Sequence, residues 1–528
     1  MINRKNRILA LLLTLSLVGT VLAGCKKTPV TEGTNTSGAA VTTDSYPIKT
    51  DVKLKMWTDL NANLSTLVKN FGDTPLAKEL TAKTGIEVEF MHPAQGQGNE
   101  QLNLLLASGD LPDIIEYNWI QTFPGGPEKA INDGYILNLA DVINKWAPNF
   151  KKVLDNHKDW NNSIKTDSGA YYGFTEFRGD PALQVFQGPI LRKDWLDELG
   201  LPVPETIDEW TTTLTAFKEK KGATAPLTAM FNEGYFDNAF VGPYGTKVGL
   251  YTDNGKVKYG QIEPGFKNYL QLFKTWYAAG LLDKNLATVD QKAQDASVTG
   301  NKSGAIGKYL PLLKAKDPKA DLVAAPYPVL KKGDVPQYAQ FDTPYSGRQY
   351  AITKTSKNVE IAARYLDYGY SKEGEMLYNF GIEGKSYNMV DGYPKYTDLI
   401  MKNPDKNPMA VIMPMYIRAN YDGPMIQRKE YIEQYAILPQ QQHAIKTWMK
   451  TDASKHVFPK VTLLQEESSE AAKIINDVNT YYSEMFLKFI MGVEPIENFD
   501  KFVAQMKSLN IDRYVEIQQA AYDRYMKR

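Results

Sequence analysis

Cysteine is nearly absent from this chain: 528 residues contain one, Cys25. Without a second thiol no internal disulfide can form, so stability has to come from a packed core. Histidine is also scarce, and His92, His157, His443 and His456 are scattered without metal-ligand spacing. There is no excess charge of either sign, since Lys+Arg and Asp+Glu both total 61. That balance argues against a nucleic-acid partner or any polyanion held by bulk charge. No G-x-S-x-G or H-E-x-x-H signature occurs.

The devices that cradle phosphates are incomplete as well. Gly96-Gln97-Gly98-Asn99-Glu100-Gln101 has the first two glycines of a dinucleotide fingerprint, but Gln101 replaces the third, which close helix–strand packing needs. Gly307-Lys308 ends like a P-loop, yet Lys302 stands where its first glycine belongs and Tyr309 replaces the Ser/Thr.

What is present begins at the N-terminus. Arg4, Lys5 and Arg7 precede a mostly aliphatic run, Ile8 to Val21, the profile of a secretory signal. The run is shorter than the roughly 20 apolar residues that span a bilayer. Leu22-Ala23-Gly24-Cys25 resembles a bacterial lipobox, whose cysteine is lipidated before cleavage in front of it. The alternative is an ordinary signal with an incidental cysteine. A thiol that becomes a lipid anchor explains both its position and its lack of a partner, and removes it from any Cys–His pairing. Losing Arg4, Lys5 and Arg7 with the signal leaves 58 basic against 61 acidic residues. The expected division is a signal at 1–24 and a Thr/Ser/Gly-rich flexible tether at 25–48.

The folded part opens with "VKLKMW" (Val52–Trp57) and "IEVEFM" (Ile86–Met91), which alternate apolar and charged residues as half-exposed strands do. As neighbours they would set Lys53 and Lys55 opposite Glu87 and Glu89. Between them Thr74 is a candidate N-cap, Pro75 the first helical residue and Gly85 the stop. A helix over Asn99–Ser108 and a strand at Asp113–Tyr117 complete an α/β unit with a parallel sheet. Ligands collect at the carboxyl ends of such strands.

Longer stretches carry a family resemblance. "QLNLLLASGDLPDII" (Gln101–Ile115), "LRKDWLDELGLPVPETIDEW" (Leu191–Trp210), "GIEGKSYNMVDG" (Gly381–Gly392) and "AAYDRYMKR" (Ala520–Arg528) resemble extracellular solute-binding proteins of ABC sugar importers. The branch they resemble is that of the LplA-like lipoproteins, which are similar to the alginate-binding receptors. The resemblance runs from about residue 50 to the end. It implies an α/β, two-lobed periplasmic-binding-protein-like fold, with a ligand cleft between the lobes and a helical C-terminal extension. It also implies hinge closure over a mono- or oligosaccharide and delivery to the permease subunits.

The second lobe has signals of its own. "PILRKDWLDELG" reads as a strand running into a helix that stops at Gly200, and Thr206 with Glu209 forms a capping box. Gly265–Leu282 is a third helix, while Ser303–Pro311 looks like a return strand into the first lobe. The expected boundaries are 49–175 with about 300–340 for the N-terminal lobe, 176–299 with about 341–464 for the C-terminal lobe, and 465–528 for C-terminal helices. Many relatives carry a calcium loop after the corresponding second-lobe helix. Here Lys221–Phe231 contains no acidic residue, so no metal is expected there, and no cofactor anywhere.

A sugar site needs flat aromatics and fixed polar groups. The strand ends nominate Trp57, Asp59, Asn61, Asn118 and Trp119. "AMFNEGYFDNAF" resembles the stretch that lends aromatics to the cleft of maltose-binding proteins, which nominates Tyr235 and Phe236. Tyr309 stands where those proteins place a stacking aromatic after the return strand. Tyr172, Tyr345, Arg348 and Tyr387 come from crossing segments and the Gly-rich loop. Trp195, Trp210 and Trp276 lie on helical faces and read as core. The reading is a lipid-anchored monomeric receptor, not an enzyme, on the outer face of a bacterial membrane. A peptide receptor, a sensor or adhesin on the same fold, and a glycoside hydrolase remain as alternatives.

Overall fold

The computed structural model describes residues 45–230, 237–308 and 321–528. In chain order its strands are β1 (Lys53–Trp57), β2 (Glu87–Met91), β3 (Ile114–Tyr117), β4 (Phe174–Arg178), β5 (Gly188–Arg192), β6 (Leu227–Thr228) and β7 (Leu250–Asp253). There follow β8 (Lys256–Tyr259), β9 (Ala305–Lys308), β10 (Leu322–Ala324), β11 (Tyr345–Ile352), β12 (Tyr387–Val390), β13 (Tyr393–Tyr396) and β14 (Ile426–Gln427). A six-stranded sheet in the order β14-β4-β11-β3-β1-β2 forms the first lobe, and a four-stranded sheet in the order β10-β5-β9-β6 forms the second.

The expected α/β unit is present. β1 pairs parallel with β2 in the register Lys53–Glu87 and Lys55–Glu89, and parallel with β3 on its other side. Charges face water along β1 while Leu54 and Met56 are buried, the alternation that fixes register. The helix Pro75–Thr84 starts at Thr74, whose hydroxyl accepts from Ala77 N–H, and ends at Gly85. Gly85 has φ +73°, and a Cβ there would lie 2.1 Å from the Ile48 carbonyl oxygen, so only glycine fits.

Helices cover both faces of the first sheet. One face packs Leu54, Met56, Ile114 and Ile352 against Phe150, Phe174 and Phe177; the other packs Trp57, Ile115 and Tyr117 against Leu102 and Leu106 of the helix Gly98–Ser108. In the second lobe Ile190, Leu191 and Ile306 pack against Trp195, Trp210, Phe217, Phe273 and Trp276, so the three tryptophans are core as expected. Thr206 and Glu209 form the capping box of the helix Ile207–Lys221.

Two expectations about the path of the chain are corrected. β9 is not a return strand: it pairs antiparallel with β5 and parallel with β6, inside the second sheet. β10 follows it there, pairing with β5. β11 instead pairs with β3 and β4, and residues through Ile432 belong to the first lobe's core. The described residues of the segment about 300–340 therefore go with the second lobe, through Ala339, and most of 341–464 with the first. The chain crosses between lobes at 179–187, 342–344 and 436–438.

The C-terminal helices Gln465–Ile490, Phe499–Ser508 and Ile511–Lys527 match the expected extension. Ile474, Val478, Phe486 and Phe489 join the second lobe's core. Their far end reaches the first lobe. Asp167, with a side chain 3% exposed, pairs with both Arg524 and Arg528. Arg524 also holds Glu467 at 2.5 Å, and Arg528 donates to the Asn162 carbonyl at 3.0 Å. The extension is thus a strap from one lobe to the other. Among the described residues no helix is long and apolar enough to cross a membrane.

One buried carboxyl makes the first lobe sensitive to pH. Asp367 accepts from Phe150 N–H and Asn149 Nδ2, both at 2.7 Å, yet burial outweighs these donors and raises it to about 6. A raised folded value means its stabilising contribution is full below the ordinary carboxylate range and is lost as pH rises through about 6. Relative to Asp367→Asn, the wild type should lose about 3 kcal/mol between pH 4 and 7. Denaturation of both proteins at the two pH values checks this, and parallel pH slopes would refute it.

Candidate functional site

The carboxyl ends of β1, β2 and β3 converge on one edge of the first lobe. There the loops after β1 and β2 enclose a cavity of about 340 Å³, lined by Asp59, Leu60, Ala62, Pro93–Gly96, Gly98, Asn99 and Tyr421. A larger cavity of about 600 Å³ lies where the lobes meet. Gln121, Thr122 and Gly125 line it from the first lobe, Lys247 from the second, Asp342 and Lys460 from connecting segments, and Gln518 from the strap. Burial lowers Lys247 to about 8, against the pull of Asp342.

Beneath the smaller cavity sits a network of charges. Arg348 on β11 pairs with Asp59, lies 3.3 Å from Glu116 and donates to the Tyr421 hydroxyl at 3.0 Å. Glu116 points from β3 into this network; its side chain is 0% exposed and it also accepts from Thr58 Oγ1. Arg418 approaches Glu116 at 3.5 Å, donates to the Asp422 carbonyl at 2.5 Å and to Tyr350 Oη at 2.9 Å. Burial alone would lower both guanidinium groups. The surrounding carboxylates and hydroxyls more than offset it, Glu116 foremost for Arg348 and Tyr350 for Arg418, so both stay charged. Asp59 is pushed above the usual carboxylate range by burial, with Arg348 pulling the other way. Burial and the nearby Glu116 push Asp422 up as well.

His92 fixes the backbone beside Asp59. Its Nε2 accepts from Phe71 N–H at 3.0 Å while Nδ1 faces the Thr58 carbonyl at 2.8 Å, which places the ring proton on Nδ1. Burial lowers its pKa, in keeping with a neutral ring.

Arg348 reaches this network because β11 is irregular. Its register against β4 shifts between Tyr345 and Gln349, a bulge that re-aims the side chain. Gly347 inside the bulge has φ +103°, and a Cβ there would meet Gln121 Oε1 at 3.3 Å and Lys460 Nζ at 3.4 Å. The Lys460 ammonium clamps the bulge by donating to the Tyr345 and Ser346 carbonyls, both at 2.8 Å.

The nominated residues divide by chemistry. Asp59 lines the smaller cavity and Arg348 sits directly behind it. Asn61 is half-buried and caps the turn that follows it, its Oδ1 accepting from Asn63 and Leu64 N–H. Asn118 is half-buried and holds Gln121 through Gln121 N–H at 3.0 Å and its own Nδ2 at 3.1 Å. The aromatics are a correction, because Trp57, Trp119, Tyr172, Tyr345 and Tyr387 are all buried. Trp57 and Trp119 face the apolar side of the helix Gly98–Ser108, with Trp119 edge-on to Tyr117 at 5.5 Å. Tyr172 and Tyr345 hydrogen-bond to each other at 3.1 Å, and Tyr387 packs on Phe380 at 5.9 Å. Rings buried this way cannot stack on a solvent-borne sugar in this state. Tyr235, Phe236, Tyr309 and Cys25 lie outside the described residues.

Glu116, Arg418 and Tyr421 were not anticipated from the sequence. Glu116 did leave a signal: in "IIEY" it is a lone charge in a strand that a parallel sheet buries on both faces. Arg418 and Tyr421 left none, since they sit in irregular chain between two short elements.

Comparison with known proteins agrees with this architecture. The family model for bacterial extracellular solute-binding proteins matches residues 61–376, well over half of the chain. The chain is 23% identical over 553 residues to the fructooligosaccharide ABC transporter substrate-binding protein FusA of Streptococcus pneumoniae, covering 98% of this chain and 97% of that one. It is 25% identical over 405 residues to the polygalacturonan/rhamnogalacturonan-binding protein YtcQ of Bacillus subtilis, covering 73% and 75%. Among solved structures, the alginate-binding protein AlgQ2 without calcium ion superposes with a TM-score of 0.69 at 26% identity, covering 89% of this chain and 98% of that one. On the family match and the two-lobed α/β architecture together, the chain belongs to the bacterial extracellular solute-binding proteins.

Proposed function

We propose that this protein is the receptor of an ABC importer, capturing an oligosaccharide between its lobes and passing it on chemically unchanged to the permease subunits. The observation that carries the reading is the strand-end cavity backed by the Asp59–Arg348–Glu116 network, a set of fixed hydroxyl-binding groups on one lobe of a two-lobed fold. FusA and YtcQ, by their names, bind carbohydrates, which supports a sugar over a peptide. Glycoside hydrolysis calls for two carboxyl groups free to face a scissile bond. Here Asp59 and Glu116 are bridged by one guanidinium and Glu116 is fully buried, which favours binding without cleavage. Lipidation at Cys25 would tether the receptor to the outer face of the membrane through the 25–48 segment, with the protein acting as a monomer. A relative, the lipoprotein LipO of Bacillus subtilis, is in keeping with that anchor.

The test is a thermal-shift screen of residues 26–528 against plant, algal and fructan oligosaccharides. A ligand that binds only the folded state at 100 times its Kd stabilises it by about 2.7 kcal/mol, a plain rise in melting point. A shift with the sugar recovered intact is the expected result. Cleaved product would overturn the receptor reading in favour of a hydrolase, and a shift only with peptides would overturn the choice of sugar.

A further inference from the structure

We propose that the strand-end cavity is a subsite for an uncharged sugar unit and rejects a uronate at that position. The inference rests on the receptor reading above and narrows its ligand. Among the described residues, Asp59 is the only charged side chain in the cavity lining. Arg348, the cation nearest to it, is already committed to Asp59, Glu116 and Tyr421. Arg418 is committed to Glu116, Tyr350 and the Asp422 carbonyl. A uronate carboxylate entering here would have to displace Asp59 from Arg348, and would meet the Asp59 charge without a free counter-ion.

Hydroxyls, in contrast, find partners. Asp59 is 31% exposed, and while Oδ2 takes Arg348, Oδ1 faces Gly98, where an added Cβ would sit 3.4 Å away. The glycine keeps that oxygen approachable, and a carboxylate oxygen accepts from sugar hydroxyls. Asn99 uses its Oδ1 to accept from Tyr117 Oη at 2.7 Å, which leaves its Nδ2 as a donor. Gln95 spends its Nε2 on the Leu60 carbonyl at 2.6 Å, which leaves its Oε1 as an acceptor. Leu60, Ala62, Pro93 and Ala94 supply an apolar wall for a ring face. Two further cations, the largely buried Lys247 and Lys460, line the larger cavity and not this one. Lys460 is held by two carbonyls and lies 3.9 Å from Asp342, which pairs with Arg178 at 2.9 Å.

The experiment is titration calorimetry of the wild type and Asp59→Asn with two panels of trisaccharides. One is neutral (kestose, maltotriose, raffinose) and the other uronic (trigalacturonate, trimannuronate). The expected result is binding of at least one neutral sugar, tenfold or more weaker binding of every uronate, and at least a tenfold loss of neutral-sugar affinity in Asp59→Asn. A uronate that binds as tightly as the best neutral sugar overturns the inference and leaves the carbohydrate receptor standing. Unchanged neutral-sugar binding in Asp59→Asn overturns it too. Binding from neither panel overturns both readings. Should Asp59→Asn fail to fold, Asn99→Ala removes a lining donor without touching an ion pair, and should weaken neutral-sugar binding at least threefold.

Discussion

Glu116→Gln is expected to lower the stability of the first lobe by about 3–5 kcal/mol and to remove ligand binding. Glu116 carries one negative charge between two guanidinium groups, with no exposure to water. Deleting one member of a buried pair leaves the other's charge uncompensated, and that drives the cost. Arg348 would keep Asp59, but Arg418 would lose its carboxylate partner and retain only neutral acceptors. One response limits the damage. Burial and then Glu116 push Asp422 up to about 7, so with the Glu116 charge gone it ionises more readily and takes over part of the compensation. The loss should therefore fall at the lower end of the range and grow as pH drops below 7. Urea denaturation monitored by first-lobe tryptophan fluorescence, at pH 7 and pH 5.5, is the measurement. A loss under about 1 kcal/mol at both would mean that the network does not organise the lobe.

The second large effect is expected at the strap. Asp167→Asn should weaken the attachment of the C-terminal helix Ile511–Lys527 to the first lobe by about 3 kcal/mol, because two arginines and the Thr462 hydroxyl share that single carboxylate. Opening at the strap need not unfold either lobe, so a global melting curve reports it poorly. Hydrogen exchange reports it directly. Amides near Arg524 should exchange about 100-fold faster, while those of the second lobe's core stay protected. Unchanged exchange there would show that the apolar contacts of the strap hold it without the ion pairs.

What could be read in the sequence was what depends on near neighbours. The β1–β2 register followed from two Lys and two Glu in alternation, and helix limits followed from Thr74, Pro75 and Gly85, or Thr206 and Glu209. The polar half of the site was partly legible for the same reason, since Asp59 lies two residues beyond a strand end. Its partnership with Arg348, 289 residues away, was not. Aromatics misled because a Trp at a strand end has two destinations, cleft or helix face, and the apolar side of Gly98–Ser108 claimed Trp57 and Trp119. β9 misled because short apolar strands carry no mark of which sheet they join. Ala305–Lys308 pairs with β5 because of a contact more than a hundred residues back along the chain.

The crossing segments and the strap have a consequence for survival among proteases. The chain passes between the lobes at 179–187, 342–344 and 436–438, and its last helix is tied back by Asp167. A single cut in any one connection severs the polypeptide but leaves the two lobes joined by the others. A nicked molecule would run as two fragments on a denaturing gel and still migrate as one particle in its native form. For a receptor working outside the cytoplasm, breakage of one covalent link then need not mean loss of the cleft.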